Sequence, residues 1–328
     1  MLTFGLLVLG GTVTSRGAAL SVPDYPSSYG YNFFLLPVSM WRGGILFEHT
    51  HRLLGAAVGL ATIVLVIWLW RVEPRRPWLR WLGLGALALV IVQGLMGGLR
   101  VTQMSNFLAL LHGVTAQLFL CMVVLIAAAT GSIWHRLTDP ATAKPAPAPS
   151  GGGTAVLLAV VFIQSVLGAA VRHGSAGLAI PDFPSSYGGL LPPLAQDEII
   201  LAHDEMFEYD EPLAGNYPTP AQVAIHLAHR AWALVVIIVT IAALGRLGRN
   251  ASSTTILRPC GVLGLLMVVQ IALGAAVILS GRHPEAATAH QATGAAVLAT
   301  TFLILIRVCV LRHASRRPPV HAACPGCS

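Results

Sequence analysis

The chain has 328 residues, of which 55% are hydrophobic and only 10% charged, and its mean hydropathy is +0.73. A soluble globular domain carries about 25% charged residues, so this composition excludes one. The net charge of +7 does not imply a nucleic-acid partner, because the basic residues lie mostly in short loops between apolar runs.

Taken in chain order, eight apolar runs predict membrane helices, at roughly 1–14, 48–70, 81–100, 107–130, 154–171, 222–245, 259–280 and 287–309. Each is near the ~20 residues that cross a bilayer, except the first, which is short. Its counterpart in the second half starts further upstream, so either Met1 is not the natural start or this helix is truncated. A cleaved signal peptide fits less well, because Gly10 and Gly11 align with the fifth run at Gly168–Val171. Arg71, Arg75, Arg76 and Arg80 follow the second run, and Arg246, Arg249 and Arg258 follow the sixth. Arg312, Arg316 and Arg317 follow the eighth. These loops belong in the cytoplasm, which also puts both termini there in a plasma-membrane protein.

The chain reads as a duplication. LSVPDYPSSYG at Leu20–Gly30 returns as LAIPDFPSSYG at Leu178–Gly188. Between the halves, Asp139–Gly153 reads DPATAKPAPAPSGGG, a composition that forms no packed core and serves as a flexible cytoplasmic linker. Four crossings per half is an even number, so both halves enter from the same side. The expected fold is therefore an all-α membrane protein of eight transmembrane helices, arranged as two pseudo-twofold-related four-helix bundles. The expected domains are 1–138 and 154–310, joined by the linker at 139–153 and followed by a cytoplasmic tail at 311–328.

Odd-numbered runs share a small-residue signature: VLGGTV at 8–13, LMGGLRV at 95–101, VLGAAV at 166–171 and ALGAAV at 272–277. Gln93, Gln164 and Gln270 precede three of them. Such glycines let membrane helices pack closely. The second outer loop is about twenty residues longer than the first, and its acidic insert DEIILAHDEMFEYDEP is expected to form a short helix over the bundle, as a cap or docking surface, or else a solvated loop.

Two pairs of histidines stand out. His51 and His112 are 61 residues apart, and so are His229 and His290. On the expected topology each pair lies at matched depth near the outer face, on two helices of one bundle. Facing imidazoles in a bundle suit six-coordinate haem iron. A single such His is explained as well by a hydrogen bond to a neighbouring carbonyl; two pairs with the same spacing favour ligation. A metal site without porphyrin would have to draw on Glu48, His49 and His226. The halves differ three residues before the first ligand candidate, where Glu48 stands in one and His226 in the other. On one helix face with His51, a carboxylate can handle protons, or it can simply pair with Arg52 or Arg42. Arg52 and Arg230 follow the ligand candidates, placed to bind porphyrin carboxylates or lipid headgroups.

Together these residues resemble the haem A synthase family: E-x-x-H-R opening the second helix, H-R in the sixth, a lone His in the fourth and eighth, and P-D-[YF]-P in the loops, where the family has P-D-W-P. The resemblance covers nearly the whole chain. It implies an oxidoreductase that converts a methyl group of haem O to the formyl group of haem A for terminal oxidases. It further implies that His51 and His112 face the substrate haem O with Glu48 as catalytic carboxylate, and that His229 and His290 ligate haem b. Arg52 and Arg230 go with the two haem sites. Implied partners are the farnesyl transferase that makes haem O, a quinone or ferredoxin-like electron donor and oxidase assembly factors, with a homo-oligomer left open. Many members carry a cysteine pair in the first outer loop, and here neither outer loop has a cysteine.

Of the five cysteines, Cys121, Cys260 and Cys309 lie in apolar runs and are expected to pack as small hydrophobes. Cys324-Pro-Gly-Cys327 lacks the following His of a covalent haem attachment site. Two other functions compete: a non-catalytic dihaem electron carrier between quinone and an outer acceptor, and a transporter. The nearly apolar inner halves of the spans argue against the transporter.

Overall fold

The computed structural model describes residues 1–138, 151–207, 217–250 and 254–315. Eight apolar helices run in chain order: α1 (Leu2–Ser15), α2 (Gly43–Val72), α3 (Pro77–Thr102), α4 (Asn106–Thr130), α6 (Gly152–His173), α8 (Pro220–Asn250), α9 (Thr254–Leu279) and α10 (Pro284–Ser315). Two short helices join them, α5 (Ser132–Thr138) and α7 (Gln196–Phe207). Seven are long and apolar enough to cross a membrane, and α1, with 14 residues, is shorter. Among the described residues there is no strand.

Several helices extend past the apolar runs, and some of their ends are opened by a proline or a side-chain cap. Pro77, Pro220 and Pro284 each open a helix, where a missing N–H costs nothing. The Ser105 side chain accepts from Leu108 N and caps α4. Gly152 and Gly153, expected in the linker, begin α6, while 139–150 lie outside the described residues. The seventh run was expected from 259, yet α9 begins five residues earlier, with Pro259 inside it. Proline cannot donate to the carbonyl four residues back. Arg307 of α10 meets that need, donating from Nη1 to the Thr255 carbonyl at 2.7 Å.

In the first half α1 packs on α2, α2 on α3 and α3 on α4. In the second, α6 packs on α8, α8 on α9, α9 on α10 and α10 on α6. Across the halves, α1 meets α10, α4 meets α6, and α4 meets α10. The apolar cores, one around Leu69, Leu79 and Phe119 and one around Leu157, Leu263 and Leu298, lie away from the loop-bearing ends. Leu60, Ile63, Val64, Ile67 and Trp68 of α2 are all exposed, a surface that only lipid or another apolar partner can cover. Cys260 is buried in the second core, whereas Cys309 is exposed rather than packed; Cys324 and Cys327 lie outside the described residues.

The two outer loops form the same turn. Asp24 accepts from Tyr29 N (2.7 Å) and Gly30 N (2.9 Å), and Asp182 from Tyr187 N (2.7 Å) and Gly188 N (2.9 Å). Tyr29 and Tyr187 donate back to the carbonyls of Ser21 and Ala179. Gly30 and Gly188 sit at φ +74° and +73°, where a side chain would be strained. Of the acidic insert, α7 is helical as expected: Ile199 and His203 are buried, and Ile199 belongs to an apolar cluster with Ile180 and Val223.

Candidate functional site

All four histidines sit at the loop-bearing ends of their helices, and each ring lies against a glycine of a neighbouring helix. A Cβ added at Gly10 of α1 would lie 2.9 Å from Cε1 of His51. At Gly97 of α3 it would lie 3.3 Å from His112, at Gly168 of α6 3.2 Å from His229, and at Gly274 of α9 3.1 Å from His290. These are the first glycines of the four small-residue signatures. Their role reaches past helix packing, because each leaves a slot that an imidazole fills.

The residue four before each glycine, one turn along the same helix face, addresses the same ring. Gln164 brings its amide nitrogen 3.2 Å from Nδ1 of His229 and 3.1 Å from that residue's carbonyl oxygen. The Gln270 amide nitrogen lies 3.4 Å from Nε2 of His290. With the amide orientation assigned from its hydrogen bonds, Gln93 donates to Nδ1 of His112 at 3.0 Å and accepts from Thr115. At the fourth position stands Leu6, which has no amide to offer. The Nδ1 of His51 is buried without a bond of ordinary geometry, although the Leu6 carbonyl lies beside the ring. The sequence signal was a Gln-x-x-x-Gly spacing, read there only as helix packing.

In the second half the His229 and His290 rings face each other, with centroids 6.5 Å apart and planes at 77°. Two imidazoles binding one metal at about 2 Å each put their centroids roughly 6 Å apart, so this gap accepts an iron. Nδ1 of His290 is buried and unpartnered. Among the described residues no three His, Cys, Asp or Glu side chains converge on a metal position. A pair of imidazoles would therefore suit a metal that brings its remaining donors with it, as a haem does. In the first half His51 and His112 also lie within electrostatic range of each other.

Glu48 is buried, 4% exposed, and points to the loop. Its Oε2 accepts from Val22 N at 3.0 Å and its Oε1 from Arg52 Nη2 at 2.8 Å. Of the two arginines considered for it, Arg52 is the partner. Arg52 donates in addition to the carbonyls of Val22 (2.6 Å), Asp24 (2.7 Å) and Ser27 (3.2 Å). Arg230 does the same in the second half, donating to Ile180 (3.1 Å), Asp182 (2.7 Å) and Ser185 (3.0 Å) carbonyls. His226 takes the place of Glu48, with Ile180 N 3.2 Å from its Nδ1 and Arg230 Nε 3.3 Å from its Nε2. Both guanidinium groups thus fasten a loop to a helix.

The loop carboxylates have perturbed acidity. Burial alone would raise Asp24, but bonds from Gly30 N, Ser27 and Tyr29 N outweigh it and hold the group down to about 2. Asp182 is lowered for the same reasons. In the second loop, burial and the neighbouring Asp182 push the Tyr187 phenol up to about 12.

The molecule is an all-helical, multi-pass membrane protein with paired, half-buried imidazoles at one end of its helices. Residues 1–302 match the COX15-CtaA model, described as cytochrome oxidase assembly protein, and the chain belongs to that family. A haem A synthase of Methylorubrum extorquens strain PA1 is 31% identical over 261 residues, 76% of this chain and 63% of the relative. One of Rhizorhabdus wittichii is 27% identical over 332 residues, 91% of this chain and 88% of the relative. One of Rhizobium etli is 32% identical over 78% of this chain and 66% of the relative.

Proposed function

We propose that this protein is a haem A synthase, oxidising a methyl group of haem O to the formyl group of haem A for terminal oxidase assembly. The observation that carries this reading is the imidazole pair in each half, each ring seated in a glycine slot, with a 6.5 Å gap between His229 and His290. Family membership and relatives named haem A synthase support the same reading. His229 and His290 hold haem b, which supplies one-electron redox chemistry when bound. His51 and His112 receive haem O as substrate, and Glu48 is the carboxylate that handles protons there.

The division of labour rests on Glu48 against His226. A carboxylate accepts from a backbone N–H and a guanidinium at once, as Glu48 does. A neutral imidazole has one acceptor nitrogen, so His226 serves only one of its two donors. The charged version of the junction stands in the half assigned to chemistry. Gln164 and Gln270 orient both second-half ligands, whereas in the first half only His112 has such a partner, which suits a permanently held cofactor in the second half.

The proposed architecture is eight crossings in two pseudo-twofold-related bundles, 1–138 and 154–310. The helix pairings support it: α1 with α10 answers α6 with α4, and α4 with α10 lies on the axis. Arginine-rich loops support a topology with both termini in the cytoplasm and the imidazoles near the outer face of the plasma membrane. The farnesyl transferase that makes haem O stands upstream, a quinone or ferredoxin-like donor handles electrons, and oxidase assembly factors receive the product. Extraction of total haem from cells that make haem O, with and without this protein, tests the reading. Haem A appearing only with the protein supports it, and unchanged haem O overturns it.

A further inference from the structure

With Arg52 and Arg230 bound to loop carbonyls, a different guanidinium is left to meet an anion. Arg100 lies in the last turn of α3. It stands three residues beyond Gly97, the glycine against which His112 packs, and so on the same helix face, one turn nearer the loops. Its charge acts on His51, His112 and His173. Among the described residues it makes no side-chain hydrogen bond or ion pair that any neighbour satisfies. Glu48 is the one carboxylate that acts on it, and that group is bonded to Arg52 and to Val22 N. A cation at the end of a membrane helix, facing imidazoles and a second arginine, calls for an anionic partner.

A second donor reaches the same place from the other half. His173 ends α6, and its Nε2 lies 3.7 Å from where a Cβ on Gly113 would be, next to His112. Among the described residues its ring has no hydrogen-bond partner, and the charge of Arg100 acts on it. The second half is built differently at the matching position. By the register of the two signatures, Arg100 is matched there by Val277. The arginine that acts on His290 is Arg172, and it donates to the Gly11 carbonyl at 2.6 Å and to Ser15.

We infer that Arg100 and His173 form a carboxylate-binding site at the mouth of the first imidazole pair, and that they recognise the acidic side chains of the porphyrin substrate. The site takes one donor from each half, so the first site is incomplete without α6. This inference rests on the reading of the first half as the substrate haem site. A guanidinium fork is the donor best matched to a carboxylate. It also assigns a different task to each arginine of the first half: Arg52 holds the loop and Arg100 holds the ligand.

The experiment uses the purified full-length protein with its second-half haem bound. It is titrated with iron protoporphyrin IX and with the dimethyl ester of that porphyrin, following the absorbance change that His112→Ala abolishes. The diacid is expected to bind about tenfold or more tightly than the ester. Arg100→Gln should remove most of that difference, Arg100→Lys should keep part of it, and His173→Phe should reduce it less, with the second-half haem spectrum unchanged in all three. Equal binding of diacid and ester by the unaltered protein overturns the inference alone, as does an Arg100→Gln variant that weakens both equally. Absence of any His112-dependent porphyrin binding overturns the substrate-site reading as well. If Arg100→Gln loses the second-half haem, the diacid–ester comparison on the unaltered protein decides.

Discussion

The two loop–helix junctions do one mechanical job with different chemistry. Around α2, Glu48 and Arg52 form a buried ion pair, both side chains under a tenth exposed, that also bonds the loop backbone. Around α8, His226 and Arg230 hold the matching loop without an anion. A junction that needs only to be held can use an imidazole. Keeping a carboxylate in the same place brings a desolvation cost of several kcal/mol per buried ion, offset here by its two donors. Glu48 is thus explained in part by structure, so its proposed catalytic role has to be separated from its structural one by experiment.

The largest expected effect is in the second half. His229→Ala or His290→Ala should abolish the low-spin haem signal of the purified protein, and normal haem content in both variants would remove the ligand assignment. Next is Glu48→Gln. Breaking a buried ion pair outright costs about 3–5 kcal/mol, but Arg52 keeps three carbonyl acceptors, so the loss should be nearer 1–3 kcal/mol. The variant should fold and bind haem yet yield no haem A in cells. Unaltered haem A would leave Glu48 as a loop fastener and move the protein toward a dihaem electron carrier. A smaller effect is expected of Gly168→Ala. Its Cβ would stand 3.2 Å from His229, so the ring must shift at a cost of about 1–3 kcal/mol. Haem occupancy of the second half should fall several-fold, read from the absorbance ratio of haem to protein, while Gly245→Ala, with open space around it, should change nothing.

Seven of the eight expected membrane helices, and their order, were legible in the sequence, because long apolar runs between Arg-rich loops have one physical reading; α1, with 14 residues, is shorter. The ends were less legible: α9 begins before Pro259 only because Arg307, far along the chain, satisfies the carbonyl that proline leaves free. The histidine pairs were legible from spacing. Their glycine slots were not, since Gly10, Gly97, Gly168 and Gly274 read equally well as helix-packing residues until the partner ring is seen. Arg52 and Arg230 follow the ligand candidates and are placed for porphyrin carboxylates or lipid headgroups; their bonds to loop carbonyls were not foreseen. A hydrogen-bond partner in a loop some thirty or more residues distant leaves no mark in the local pattern. Arg100 was passed over for the converse reason, since its significance lies in what does not bond to it.

The smallest expected effect concerns the loops themselves. Asp24 is held down to about 2 against an ordinary value of 3.8, by bonds that exist only in the folded loop. A carboxyl whose acidity is depressed by folding adds stability that is fully present above the ordinary value and is lost as pH falls through the depressed one. The first loop should therefore loosen between about pH 4 and pH 2, seen as a loss of amide-exchange protection over Leu20–Tyr31, taken relative to the intrinsic rate at each pH, that reverses on neutralisation. Asp24→Asn should give low, nearly pH-independent protection in that segment already at neutral pH. The second loop is the internal reference, because Asp182 is lowered by equivalent bonds and Leu178–Gly188 should respond in the same direction. Protection in the first loop that stays undiminished down to pH 2, or an Asn variant that still shows the transition, would mean that Arg52 and Glu48 hold this loop without help from the Asp24 turn.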